Sequence, residues 1–238
     1  MIEVTKGPEP DGLRLLREEM KAKGLPPKAA FEELRNPLKE EVLGALLRDQ
    51  GQLCVYCMSR IPRRDKGPGI PGTTIEHFIP LELPDGQDEG QALDYQNLFA
   101  VCHGNTQPRK KGVPRHTREE ALTCDKHRGN HEFHKIHPLR KETLESISYN
   151  SKGEIDAADP DVKRDLTEIL NLNSGFSPLM SERKAVLDAL TADMGDLPKE
   201  ELRKYCTERL EAFQSETDKK TPFVGVIIWY LRSTLEAL

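Results

Sequence analysis

The sequence contains no apolar run near the ~20 residues that a membrane-spanning helix requires. Its first residues lack the basic, apolar and small-residue succession of a signal peptide. These two absences lead us to expect a soluble, cytoplasmic protein with no membrane partner. Internal repeats and low-complexity tracts are missing as well, so solenoid and fibrous architectures are not expected. Hydrophobic residues are scarce, at 36% against 32% charged. That balance favours a helical protein with much solvated surface, part of which a partner could cover. The length, 238 residues, accommodates one large domain or two small ones. A positive excess is absent too: the net charge is −5, which taken whole argues against a nucleic-acid ligand.

The distribution of charge reverses that argument locally. Cys54 to Lys141 holds 14 basic against 11 acidic residues, and the remainder 21 against 29. Cys102 to Lys141 alone holds 10 against 4. Positive charge is therefore concentrated in the middle of the chain, as a phosphate-binding surface requires. The alternative is a solvated basic loop.

Cysteine is sparse, with five residues, an odd number that does not suggest a disulfide framework. Cys54 and Cys57 are separated by two residues and are followed by Cys102 and Cys124. In a reducing compartment this pattern points to a metal rather than to disulfides. A C-x2-C turn places two thiolates on one ion, and Cys102 and Cys124 supply the second half of a four-ligand zinc site. His103 or His127 could take the place of Cys124. Four thiolates leave no open position, so such a zinc would hold the fold and do no chemistry. Cys206, alone in a helical stretch, reads as core filler.

Periodicity and punctuation place the elements. A strand is expected at Ile2–Val4, and helices near Leu13–Lys23 and Pro37–Gln50, the latter with Pro37 in its first turn. Residues 60–72 and 84–90 read as loops. Thr74 to Leu81 reads as a strand, and Tyr95 to Cys102 as a turn entering a short strand or helix. Gly104 to Arg118 is a polar, basic segment. Asn150-Ser151-Lys152-Gly153 reads as the turn of a hairpin. Helices are then expected at 161–170, 178–194, 198–215 and 222–238, the last a buried core helix.

Thr74-Ile75-Glu76-His77-Phe78-Ile79-Pro80 carries an acidic residue directly before a histidine. Neighbouring strand side chains point to opposite faces, so the two share a pocket only if the strand ends or bends near His77. A neutral imidazole suits the activation of water near pH 7. A divalent cation held by oxygen and nitrogen ligands would neutralise charge on a reacting phosphate. Glu76, Asn97 and Asp125 are suitable partners for it.

These residues resemble a family. Cys54-x2-Cys57, Glu76-His77-Phe78-Ile79-Pro80, Tyr95-Gln96-Asn97-Leu98, Cys102 and Cys124-Asp125-x2-Arg128-Gly129 are similar to the zinc-stapled ββα-metal type of HNH endonuclease. The match covers roughly Cys54 to Gly129. The flanks, the inserted loop and Ile169 to Asn173 look closer to the nuclease subunits of Septu-type and retron-associated anti-phage systems, which work beside an ABC/SMC-like ATPase.

The resemblance implies an α+β fold, mainly helical: a helical segment at 1–53, a central ββα-metal nuclease module at 54–158, and a helical segment at 159–238. It implies DNA phosphodiester hydrolysis with structural Zn²⁺ and catalytic Mg²⁺ or Mn²⁺. His77 would be the general base, and Asn97 would brace the loop that orients it. Glu76 and Asp125 would hold the catalytic metal. Arg128, with Arg109, Lys110, Lys111 and Arg115, would contact the DNA backbone. The sequence departs from the family twice. The cysteine expected shortly after Cys102 is displaced to Cys124, and Asp125 stands where His or Asn is usual. Asp favours Mg²⁺, with His127 and Asn130 as alternate ligands. The histidines at 131, 134 and 137 could form a second metal site. A non-catalytic zinc-knuckle docking or nucleic-acid-binding subunit is the alternative function.

Overall fold

The computed structural model describes residues 1–61, 72–81, 91–105 and 119–238. The fold is α+β, dominated by helices, with two small antiparallel sheets. Three helices open the chain: α1 (Asp11–Ala22), α2 (Pro27–Glu32) and α3 (Leu38–Asp49). Pro27 occupies the first turn of α2, where its missing N–H costs nothing. The strand expected at Ile2–Val4 does not form. That segment joins no sheet, and Val4 N donates instead to Pro138 O at 2.8 Å.

Strand β1 (Thr74–His77) pairs antiparallel with β2 (Leu98–Val101), Glu76 opposite Phe99 and His77 opposite Leu98. A single 3-10 turn, Tyr95–Asn97, leads into β2 and is capped by the Asp94 side chain. All four β2 residues are buried. The buried Gln50 amide, at the end of α3, completes the ladder on the free edge of β2. It accepts from Ala100 N at 2.7 Å and donates to Ala100 O at 2.7 Å and Leu53 O at 2.8 Å. Without it Ala100 N would be buried and unpaired.

The short helix α4 (Cys124–Arg128) follows, then the hairpin of β3 (Ile147–Tyr149) and β4 (Ile155–Ala157). Gly153 closes the hairpin turn at φ 78°, and a Cβ there would lie 2.2 Å from Met180 O. Only glycine combines that backbone with that approach. Helix α5 (Pro160–Arg164), capped by Asp159, runs directly into a π-helical turn, Asp165–Ile169. Long helices α6 (Leu179–Met194), α7 (Lys199–Gln214) and α8 (Val224–Ala237) complete the chain.

The main core draws on residues from Met1 to Val226, so the three expected segments share it. A smaller apolar cluster between α6, α7 and α8 contains Leu190, Met194, Ile227, Leu231 and the fully buried Cys206. No helix among the described residues is long and apolar enough to cross a membrane.

Candidate metal centre and carboxylate cluster

Four cysteines converge. The sulfurs of Cys54, Cys57, Cys102 and Cys124 all lie within 4.8 Å of one another, and Cys57 Sγ is 3.8 Å from Cys102 Sγ. A tetrahedral zinc with ~2.3 Å bonds to sulfur requires sulfurs ~3.8 Å apart. The donor set therefore fits a metal ion such as zinc.

Each sulfur is delivered by a local device. A tight turn carries Cys54 and Cys57, with Met58 N donating to Cys54 O and Cys54 N to Ser59 O, both at 3.0 Å. Gly104 N donates to Cys102 Sγ at 3.4 Å. Cys124 opens α4 at φ 55°, and its N–H donates to Leu170 O at 2.9 Å. The long spacer between Cys102 and Cys124 is closed at its base. Thr123 N donates to Gly104 O at 3.1 Å, and Asn105 Nδ2 to Ala121 O at 2.8 Å. Gly104, at φ 58°, approaches so closely that a Cβ would lie 2.4 Å from Thr123 O. This closure lets the fourth cysteine stand so far along the chain.

Neither histidine considered as a substitute joins the cluster. His127 donates from Nδ1 to Ile169 O at 3.0 Å, because a carbonyl can only accept; its lone pair is then on Nε2. Bonds from the other three cysteines hold Cys57 well below the usual thiol range. Four thiols cannot all ionise at such distances without a cation between them.

Glu76 and His77 part company at β1. The pairing stays regular through His77, so Glu76 points to one face and His77 to the other. Glu76 meets α4. Its carboxyl hydrogen-bonds Asp125 and accepts from Arg128 Nη1 at 2.5 Å and from the Tyr56 hydroxyl at 3.3 Å. Burial, then the hydrogen bond and charge of Asp125, push Glu76 up to about 8 against the pull of Arg128. Asp125 moves down, its burial outweighed by bonds from Glu76 and Lys126.

His77 lies elsewhere. Its Nε2 bonds Ala92 O at 2.9 Å, and its ring meets Phe31 edge-on with centroids 4.4 Å apart. Since the carbonyl accepts, Nε2 carries a proton. Asn97 ties together the chain on both sides of this histidine. Its Oδ1 accepts from Ile79 N at 2.7 Å, and its Nδ2 donates to Ile79 O at 3.1 Å and Gln91 O at 3.2 Å.

Arg128 is not displayed to a ligand. It is fully buried, and its donors go to the His131, His77 and Phe78 carbonyls, to Tyr56 and to Glu76. Phe133 stacks on it, 4.4 Å from ring centroid to guanidinium. A backbone phosphate has no access to this guanidinium, which corrects the role expected for it. Arg109, Lys110, Lys111 and Arg115 lie outside the described residues. Asn130 is exposed and Asp125 is partly so. The histidine run does not converge: His134 Nδ1 bonds the buried Asp165 at 2.8 Å, and His137 Nδ1 accepts from Leu139 N at 3.2 Å. Among the described residues the four cysteines form the one group of potential metal ligands.

Tyr56 was not singled out by sequence. Its position inside the C-x2-C turn, an aromatic with a polar tip, is the signal that could have marked it. Comparison of the chain with known protein families and with characterised proteins found no match.

Proposed function

We propose that the protein is a metal-dependent HNH-type endonuclease that hydrolyses DNA phosphodiesters around a zinc staple. One observation carries this reading. An antiparallel strand pair bearing Glu76-His77 is joined to a short helix through four clustered cysteines, and that junction sets Asp125 against Glu76. Two oxygen donors so placed suit a hard cation such as Mg²⁺ or Mn²⁺. A bound cation would supply neutralisation of charge developing on the phosphate and the leaving oxygen. The general-base role of His77 comes from the family resemblance; its ring lies on the face of β1 opposite Glu76 and is oriented by the Ala92 carbonyl. Asn97 holds the loop after β1 to the segment that carries Ala92, and so sets the orientation of that ring. The tetrathiolate zinc site positions α4 and takes no part in the chemistry. The anti-phage branch of the resemblance adds an ABC/SMC-like ATPase as partner, which co-purification of the two chains from a common host would test.

A second reading, a non-catalytic zinc-knuckle subunit, is favoured by a specific contact: Arg128 already occupies the Glu76 carboxyl. Cleavage of plasmid DNA in Mg²⁺ or Mn²⁺ separates the two. We expect His77→Ala to lower cutting by about 10²–10⁴-fold and Asp125→Asn to lower it comparably, both with zinc retained. Equal cutting by all three proteins would refute the assignment, and no cutting by the wild type, alone or with its partner, would favour the second reading.

A further inference from the structure

Three of the four clustered cysteines are buried, and Cys102 is the exception. It directly follows β2 and lines a cavity of about 300 Å³, together with Ser59, Asn105, Thr123, Ser177 and Glu182. Cys54, Cys57 and Cys124 do not reach that cavity. A space of this size with polar walls admits water, and therefore a small polar oxidant such as a peroxide. Cysteine oxidation follows thiolate character and exposure. A thiol that coordinates a metal is deprotonated outright, so all four sulfurs have the first property once a metal is held. Only Cys102 adds the second. A partner sulfur is also at hand, because Cys57 Sγ lies 3.8 Å from Cys102 Sγ.

We infer that Cys102 is an oxidation site of the cluster: a peroxide entering by this cavity attacks its sulfur, Cys57 closes a disulfide onto it, and the metal is released. In the first step the Cys102 thiolate breaks the O–O bond of hydrogen peroxide, giving a sulfenic acid and one hydroxide. In the second the Cys57 thiolate attacks that sulfur, giving the Cys57–Cys102 disulfide and a second hydroxide. The peroxide gains two electrons and the two sulfurs lose them. Cys54 and Cys124 remain as half of a four-ligand set, too few to hold a structural zinc, and they return to thiols by taking up protons. Oxidation thereby detaches Cys124, and α4 with it, from the turn that carries Cys57. The inference rests on reading the cluster as a zinc site and is independent of the proposed nuclease activity.

The test treats the full chain, purified with zinc, with hydrogen peroxide. A chromogenic chelator reads zinc release, and tandem mass spectrometry of alkylated peptides reads the linkage. Loss of one zinc per chain is expected, with Cys57 joined to Cys102, and with Cys54, Cys124 and Cys206 recovered as free thiols. A different pair, or zinc release with Cys102 unmodified, would overturn the inference. So would retention of zinc at peroxide concentrations that oxidise free cysteine in the same solution. Two variants then separate exposure from ligand number, since histidine can replace a cysteine on zinc. Cys102→His should slow release several-fold, whereas Cys124→His, which removes a buried sulfur, should leave the rate near that of the wild type. Equal slowing in both would overturn the inference, and if a variant holds no zinc the wild-type linkage decides alone. Absence of zinc from the purified wild type would instead refute the zinc reading itself.

Discussion

Replacing Arg128 by Met removes a side chain that serves five acceptors at once. Three are backbone carbonyls, of His131, His77 and Phe78; the others are the Tyr56 hydroxyl and the Glu76 carboxyl. Methionine fills most of the volume and keeps contact with Phe133, so the packing loss is small. Each buried acceptor left without its donor costs ~1 kcal/mol, which puts the carbonyls and the hydroxyl at about 4 kcal/mol together. An unpaired buried carboxylate would ordinarily add several more. Here it should not, because burial and Asp125 already push Glu76 up to about 8, so the lone carboxyl simply keeps its proton at neutral pH. Urea unfolding of the zinc-loaded protein should therefore show a loss of about 4 kcal/mol, read as a fall in midpoint of about 1.5 M at unchanged slope. Adding Glu76→Gln should change that loss by less than ~1 kcal/mol. A single-variant loss below ~1 kcal/mol, or a coupling above ~2 kcal/mol, would refute the view of Arg128 as an organiser of carbonyls first and an ion-pair partner second.

The buried Lys6 offers a pH-dependent test. It donates to Leu98 O and lies 4.5 and 4.3 Å over the Tyr95 and Phe99 rings, and burial pushes it down to about 7 despite Asp49 and Asp94. Between that value and the ~10.4 of an unfolded lysine, the unfolded chain holds a proton the native one has shed. Stability should rise with pH across this window, by up to ~1 kcal/mol per unit. Lys6→Met should flatten the slope between pH 7.5 and 9.5 in urea midpoints, and parallel slopes would contradict the assignment. For the metal, chelation of zinc or Cys124→Ser should lower the melting temperature and abolish one-to-one zinc content. Cys206→Ser, remote from the cluster, should leave zinc content unchanged.

Much of the framework was legible because it depends on local chemistry. Prolines at 37, 160, 178 and 198 mark helix starts, and Asn150 to Gly153 marks the hairpin. The cysteine spacing indicated the cluster, even with a long insertion, because few other arrangements satisfy thiols in pairs. What was illegible depends on faces and distant contacts. The sequence left open whether Glu76 and His77 share a pocket, which requires the strand to end or bend near His77; a strand that stays regular sends them apart. Arg128 was expected at a phosphate because the resemblance places a basic residue with that role at its position, and a motif does not reveal burial. Its partners lie up to 72 positions away in sequence, and nothing nearby announces them.

The geometry of α4 binds these features together. A helix of five residues cannot hold its own shape, since nucleation consumes more than so few hydrogen bonds return. Its pose is imposed from outside by four tethers: Cys124 among the sulfurs, Cys124 N on Leu170 O, His127 on Ile169 O, and Arg128 in its nest of carbonyls. Two of these tethers end on Ile169 and Leu170, where the π-helical turn ends. Asp125 makes none of these bonds and is placed by all of them, so its alignment with Glu76 depends on the four-cysteine cluster. Loss of a metal held there should accordingly separate the two carboxyls before it disrupts the smaller apolar cluster between α6, α7 and α8, which contains none of the four cysteines.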